Sequence, residues 1–133
     1  MIRLVICVGI IVGFFTILQR DDDSQPNSSL KELHRQRCEL LSDDLAAIQK
    51  LHARGEATIA KLDEAKIRLF LAEAEAASDE ATRQRKRGEA ITLLQTIVDR
   101  TQKMVERGDA TPAAYRDAQL RLIETQLLFH RGG

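Results

Sequence analysis

His34 and Cys38 stand four residues apart on a predicted helix and so share one face, which is half of a zinc site. A second pair of ligands is missing nearby, so no metal is expected. His52 and His130 each fall near a predicted helix C-terminus, where a cation is favoured, and they read as structural. Three pairs of adjacent acids follow: Asp43-Asp44, Asp63-Glu64 and Asp79-Glu80. Sequence neighbours on a helix point in different directions, so these pairs read as solvated surface rather than as an acid–base couple. The cluster Arg83-Gln84-Arg85-Lys86-Arg87 could meet anionic lipid or a phosphate backbone. Asp79, Glu80 and Glu89 offset it, and no aromatic is interleaved for base stacking; it reads as a solvated helix face. Nucleophile and phosphate-loop motifs are missing. The expectation is a protein that is not an enzyme, with no cofactor and no evident small-molecule substrate.

What remains is a repeat. Residues 40–71 align with residues 93–124 without a gap, at a period of 53, and 12 of the 32 aligned positions are identical. At the centre of each copy is R-G-[ED]-A-T, formed by Arg54, Gly55, Glu56 and Thr58 and again by Arg107, Gly108, Asp109 and Thr111. A glycine tolerates positive φ and suits the position just past a helix end. The arginine sets a cation beside the last carbonyls, and the acid sets a negative charge near the next N-terminus. The threonine hydroxyl caps the following helix. Pro112, directly after Thr111, occupies a first helical position, where a missing N–H costs nothing. So short a stop-and-start favours antiparallel neighbours. These eight residues are the candidate partner-binding tips.

The elements that carry the tips are all predicted helical. Aromatics are 4% of the chain, charged residues 30%, and Ala, Leu, Glu, Lys, Arg and Gln dominate beyond residue 28. Ser29 and Glu32 form a capping box that would open a first helix over 30–54, striped by Leu33, Leu40, Leu41, Leu45, Ile48 and Leu51. A second helix, 58–77, is lined by Ile59, Leu62, Ala65, Leu69, Ala72 and Ala76. A third ends at Glu106, with Ile91, Leu94, Ile97, Val98, Met104 and Val105 as its stripe. A fourth, 111–130, carries Tyr115, Ala118, Leu122, Leu127, Leu128 and Phe129. Between the units lies 78–89, where Ser78 could cap and Gly88 could break a helix; a bend near 78–88 is expected, the alternative being one helix over 58–106. The helical domain is thus 29–130, in two repeats of about 30–77 and 83–130. Two hairpins bury little surface alone, so a four-helix bundle or self-association is expected.

Ile2–Leu18 carries one charge, Arg3, and at about 1.5 Å per residue spans roughly 26 Å, near the lower limit for a bilayer core. No small-residue cleavage pattern follows it. It reads as an uncleaved transmembrane anchor (1–18), followed by a flexible linker (19–28); a cleaved signal with a secreted product is the alternative. The short positive flank favours N-inside and C-outside. Twenty basic and twenty acidic side chains give no electrostatic case for nucleic acid. Cys7 and Cys38 are too far apart in the predicted arrangement for an intrachain disulfide; a bridge between chains through Cys38 stays open.

The pattern Gly55, Thr58, Ala65, Leu69 and its copy Gly108, Thr111, Ala118, Leu122 resembles the helical-hairpin tip of the outer-membrane efflux factor (TolC-type) family over residues 30–130. Members of that family also carry two internal repeats, and their hairpins meet a periplasmic adaptor. The resemblance implies coiled-coil hairpins in a bacterial envelope, with the anchor in the inner membrane and the helical domain periplasmic. The chain departs from the family in showing no alternating segments that could make a membrane barrel. The resulting expectation is an anchored coiled-coil interaction protein, or else an accessory component of an envelope efflux or transport assembly.

Overall fold

A computed structural model of the chain describes residues 26–131. The anchor reading of Ile2–Leu18 and most of the linker therefore lie outside the described residues. Every described element is an α-helix: α1 (Pro26–Ala53), α2 (Ile59–Ala76), α3 (Glu80–Glu106) and α4 (Pro112–Arg131). Among the described residues no helix is long and apolar enough to cross a membrane. The described residues from Lys31 onward form one compact unit.

Two helix boundaries differ from the expectation. α1 begins at Pro26, not at Leu30. Proline suits a first helical turn, so the chain enters the helix four residues early, and 26–28, expected in the linker, are helical. Glu32 then cannot serve as a capping-box acid. Its carboxylate instead accepts hydrogen bonds from Arg35 Nε at 2.8 Å and Gln36 Nε2 at 2.9 Å. These bonds, Arg35 first, hold its pKa down at about 2. The break between the repeats falls at 77–79, and Gly88 lies inside α3. Asp79, not Ser78, is the cap: its Oδ1 accepts from the Thr82 backbone N–H at 2.7 Å.

The helices alternate in direction. Ion pairs Arg37–Glu75 and Arg68–Asp44 tie α1 antiparallel to α2, and Arg100–Asp63 and Lys86–Glu73 tie α2 antiparallel to α3. The main core joins α2, α3 and α4: Ile67, Leu94, Val98 and Leu122 are buried together, with Leu71, Ile91, Ile97, Tyr115 and Ala118 packed around them. Fully burying side chains such as Ile67 and Leu94 stabilises by about 2–3 kcal/mol each. Close backbone approach occurs between α2 and α3 and between α3 and α4. Buried alanines at 72, 74 and 90 carry no bulk to hold axes apart.

α1 is attached differently. It meets α2 through side chains, in a smaller core of Ile48, Leu62 and Ala65 with Leu45 and Ala57. The positions of α1 that are at least half-buried are His34, Cys38, Leu41, Leu45, Ile48, Leu51 and His52, and the first five of them are spaced four and three by turns as in a coiled-coil seam. Leu33 and Leu40, expected on the stripe, are instead exposed, as are Ile59, Ala76, Leu127 and Leu128. Ile67 and Ala74 were not expected in a core. α2 is central, and its second buried face arises because α3 and α4 cover the side that α1 leaves open.

Candidate functional site

The two turns are the same structure built twice. Gly55 and Gly108 hold φ of 75° and 80°. The Gly55 N–H donates to the His52 carbonyl at 2.9 Å, and the Glu56 N–H to the Leu51 carbonyl at 2.9 Å. In the second turn the Gly108 N–H donates to Val105 O at 3.0 Å and the Asp109 N–H to Met104 O at 2.8 Å. This crossed pair of bonds is the Schellman motif, which satisfies carbonyls orphaned at a helix end. Three residues after each glycine, a threonine starts the next helix. Thr58 Oγ1 accepts from the Lys61 N–H at 3.3 Å, and Thr111 Oγ1 from the Ala114 N–H at 3.2 Å. The roles assigned to Gly55, Gly108, Thr58 and Thr111 hold.

The arginines differ. Arg107 Nε donates to the Lys103 carbonyl at 3.2 Å and lies 3.6 Å from Asp109 Oδ2, so it closes its own helix end. Arg54 makes no such bond among the described residues. The first turn is locked instead by His52, whose Nδ1 is 2.8 Å from the Ala57 carbonyl oxygen, and by Ala57, which packs onto the smaller core. Sequence reasoning assigned neither role; the signal available was that alanine is kept between acid and threonine in both copies. Arg54, Gly55, Glu56, Thr58, Arg107, Gly108, Asp109 and Thr111 are all exposed.

The alternation of helix direction brings both turns to one end of the Lys31–Gly133 unit. A single ion pair fixes this. Asp63, five residues past the first turn's threonine, is buried, and it is joined by the guanidinium of Arg100, seven residues before Arg107. The solvated reading is therefore corrected for Asp63, which α2 buries against α3. Glu64 stays partly exposed while pairing with Arg121 of α4. The burial of Asp63 depends on a second helix, which a single-helix view of the sequence could not reveal.

Comparison with protein-family models, with curated proteins and with solved structures finds no match. The site's chemistry must be read from its own groups. Among the described residues no cluster of three His, Cys, Asp or Glu side chains could hold a metal ion. The basic cluster is largely consumed internally. Arg83 pairs with Glu80 at 2.7 Å, and Lys86 lies 2.8 Å from Glu73 and 3.1 Å from Glu89. Lys86 also stands 5.4 Å from the Phe70 ring centroid, and Arg87 stands 5.0 Å from that of Phe129. The contact of Lys86 with Glu73 Oε2 is ionic; that buried oxygen has no aligned hydrogen bond. Cys38 is half-buried against α2, and burial, reinforced by the charge of Glu73, pushes its thiol pKa up. A raised pKa lowers the thiolate fraction and so slows disulfide exchange.

Proposed function

We propose that this chain is a non-enzymatic structural interaction protein that presents two hairpin tips, at 54–58 and 107–111, to a protein partner, and that Ile2–Leu18 anchors it in a membrane with the helical unit on the extracytoplasmic side. The observation that carries this reading is the duplication of one turn geometry at one end of the unit. A helix connection needs only one of many short turns, yet the α1–α2 and α3–α4 connections use the same Schellman glycine and threonine cap, with Arg54, Glu56, Thr58, Arg107, Asp109 and Thr111 exposed. A rigid backbone that exposes its side chains suits recognition, because little backbone entropy is lost on binding. The resemblance of Gly55, Thr58, Ala65 and Leu69, and of their copies, to efflux-factor tips supports a second reading, an accessory component of an envelope transport assembly.

The test is photo-crosslinking in native membranes from residues introduced at Glu56 and Asp109 of the full chain. The reading predicts one common neighbour from both positions and none from Arg85, which is exposed far from the tips. Capture of no specific neighbour at either tip would overturn it. Capture of a membrane transporter component would select the second reading.

A further inference from the structure

The 53-residue register, carried through all four helices, maps α1 onto α3 and α2 onto α4; Ile59 and Pro112, the first residues of α2 and α4, are equivalent. This register also pairs faces. The side of α3 that packs on α2 includes Lys86, Leu93 and Arg100. Its equivalents on α1 are Leu33, Leu40 and Ala47. The side of α2 that receives α3 includes Asp63, Ile67 and Phe70. Its equivalents on α4 are Arg116, Leu120 and Ile123, followed a turn later by Leu127. In each repeat, then, one helix keeps a face for the repeat before it, and the other keeps a face for the repeat after it. Inside the chain only one such pair of faces can meet, as α2 on α3. The other two are left open: Leu33 and Leu40 are 58% and 71% exposed, and Leu120, Ile123 and Leu127 are 55%, 49% and 50% exposed.

We propose that a second copy of this chain fills the vacancy, its α1 docking on α4 of the first in the manner of α3 on α2. The residues have changed in a matched way. Lys86 facing Phe70 and Glu73 becomes Leu33 facing Ile123 and Gln126, so an ionic contact is replaced by an apolar one. Arg100 facing Asp63 becomes Ala47 facing Arg116, and Asp43, one turn from Ala47, supplies an acid within reach of that arginine. Arg116 and Asp43 make no ion pair among the described residues. Ala90 and Ala74, which allow close approach of α2 and α3, become Arg37 and Leu127, so the axes between copies stand further apart than those within the chain. The interface is heterologous: a face of α1 meets a different face of α4, so copies add head to tail and close into a ring or continue. The proposal goes beyond tip recognition and does not depend on it.

The test uses full-length chains in detergent, with Cys7 and Cys38 changed to serine. One copy carries Leu33→Cys, the other Ile123→Cys, and both are oxidised, separately and mixed. Circular dichroism confirms that each variant remains helical. Head-to-tail docking predicts a crosslinked dimer from the mixture and little from either variant alone. A chain with both cysteines should give a ladder of dimers, trimers and higher species. Dimers from the single variants in preference to the mixture, an intrachain crosslink in the double variant, or monomers throughout would each overturn the proposal.

Discussion

At the scale of the residue, each turn rests on a left-handed glycine and a threonine cap, Gly55 with Thr58 and Gly108 with Thr111, whose effects are local. Gly55 and Gly108 face open space where a Cβ would stand. Replacing either by alanine therefore costs only the left-handed backbone strain, about 1 kcal/mol, and the two costs should match within error in chemical denaturation. Asp63 was misread because its partner lies 37 residues away on another helix. Arg100→Ala leaves a buried carboxylate without its cation, whereas Asp63→Ala leaves an arginine that is one-third exposed and can reach water. Arg100→Ala should therefore destabilise by about 3 kcal/mol and Asp63→Ala by clearly less, measured in the same denaturant series. Asp79 carries a pH signature. Its carboxylate pKa is lowered, chiefly by the Thr82 backbone N–H. A lowered folded pKa means that the stabilisation is complete above the unfolded value near 3.9 and is lost as pH falls through the folded value below it. The penalty of Asp79→Ala should be full at pH 6 and fade below about pH 4.

At the scale of the element, apolar stripes located the helices but not always what each stripe faces. Leu94 and Val98 were expected in a core and are buried; Leu33 and Leu40 obey the same spacing and are exposed. Periodicity reports that one side of a helix is apolar, and a free side suited to another molecule has the same period as a core side. The distinction predicts different costs. Leu94→Ala should destabilise the monomer by about 2–5 kcal/mol through cavity formation, while Leu40→Ala should cost under about 0.5 kcal/mol in dilute solution. Gly88 illustrates the opposite error. A glycine inside a helix costs about 1 kcal/mol relative to alanine but does not end it, and the chain breaks where an aspartate can cap instead. α1 is held by a side-chain seam to α2 without the close backbone packing of the other three helices. Its amide hydrogens should exchange faster than those of α3, a difference that native-state hydrogen exchange resolves.

At the scale of the whole unit, the all-helical class and the two hairpins followed from composition and from the repeat. The way the hairpins combine did not. A closed four-helix bundle would require α1 to share the core of α2, α3 and α4, and it does not. The repeat gives the physical reason, since equivalent helices keep equivalent faces and the first and last of them have no neighbour within the chain. The functional reading depends on one consequence of the topology, that both turns stand at the same end. α3 has 27 residues and so is about 40 Å long, whereas neighbouring helices lie about 10 Å apart. Pulsed electron–electron resonance between spin labels, on full-length chains with Cys7 and Cys38 changed to serine and diluted in unlabelled protein, measures this directly. Labels at Glu56 and Asp109 should lie roughly 20 Å apart, and labels at Ser78 and Asp109 about 40 Å apart. A Glu56–Asp109 separation as long as the Ser78–Asp109 one would place the turns at opposite ends and contradict the account.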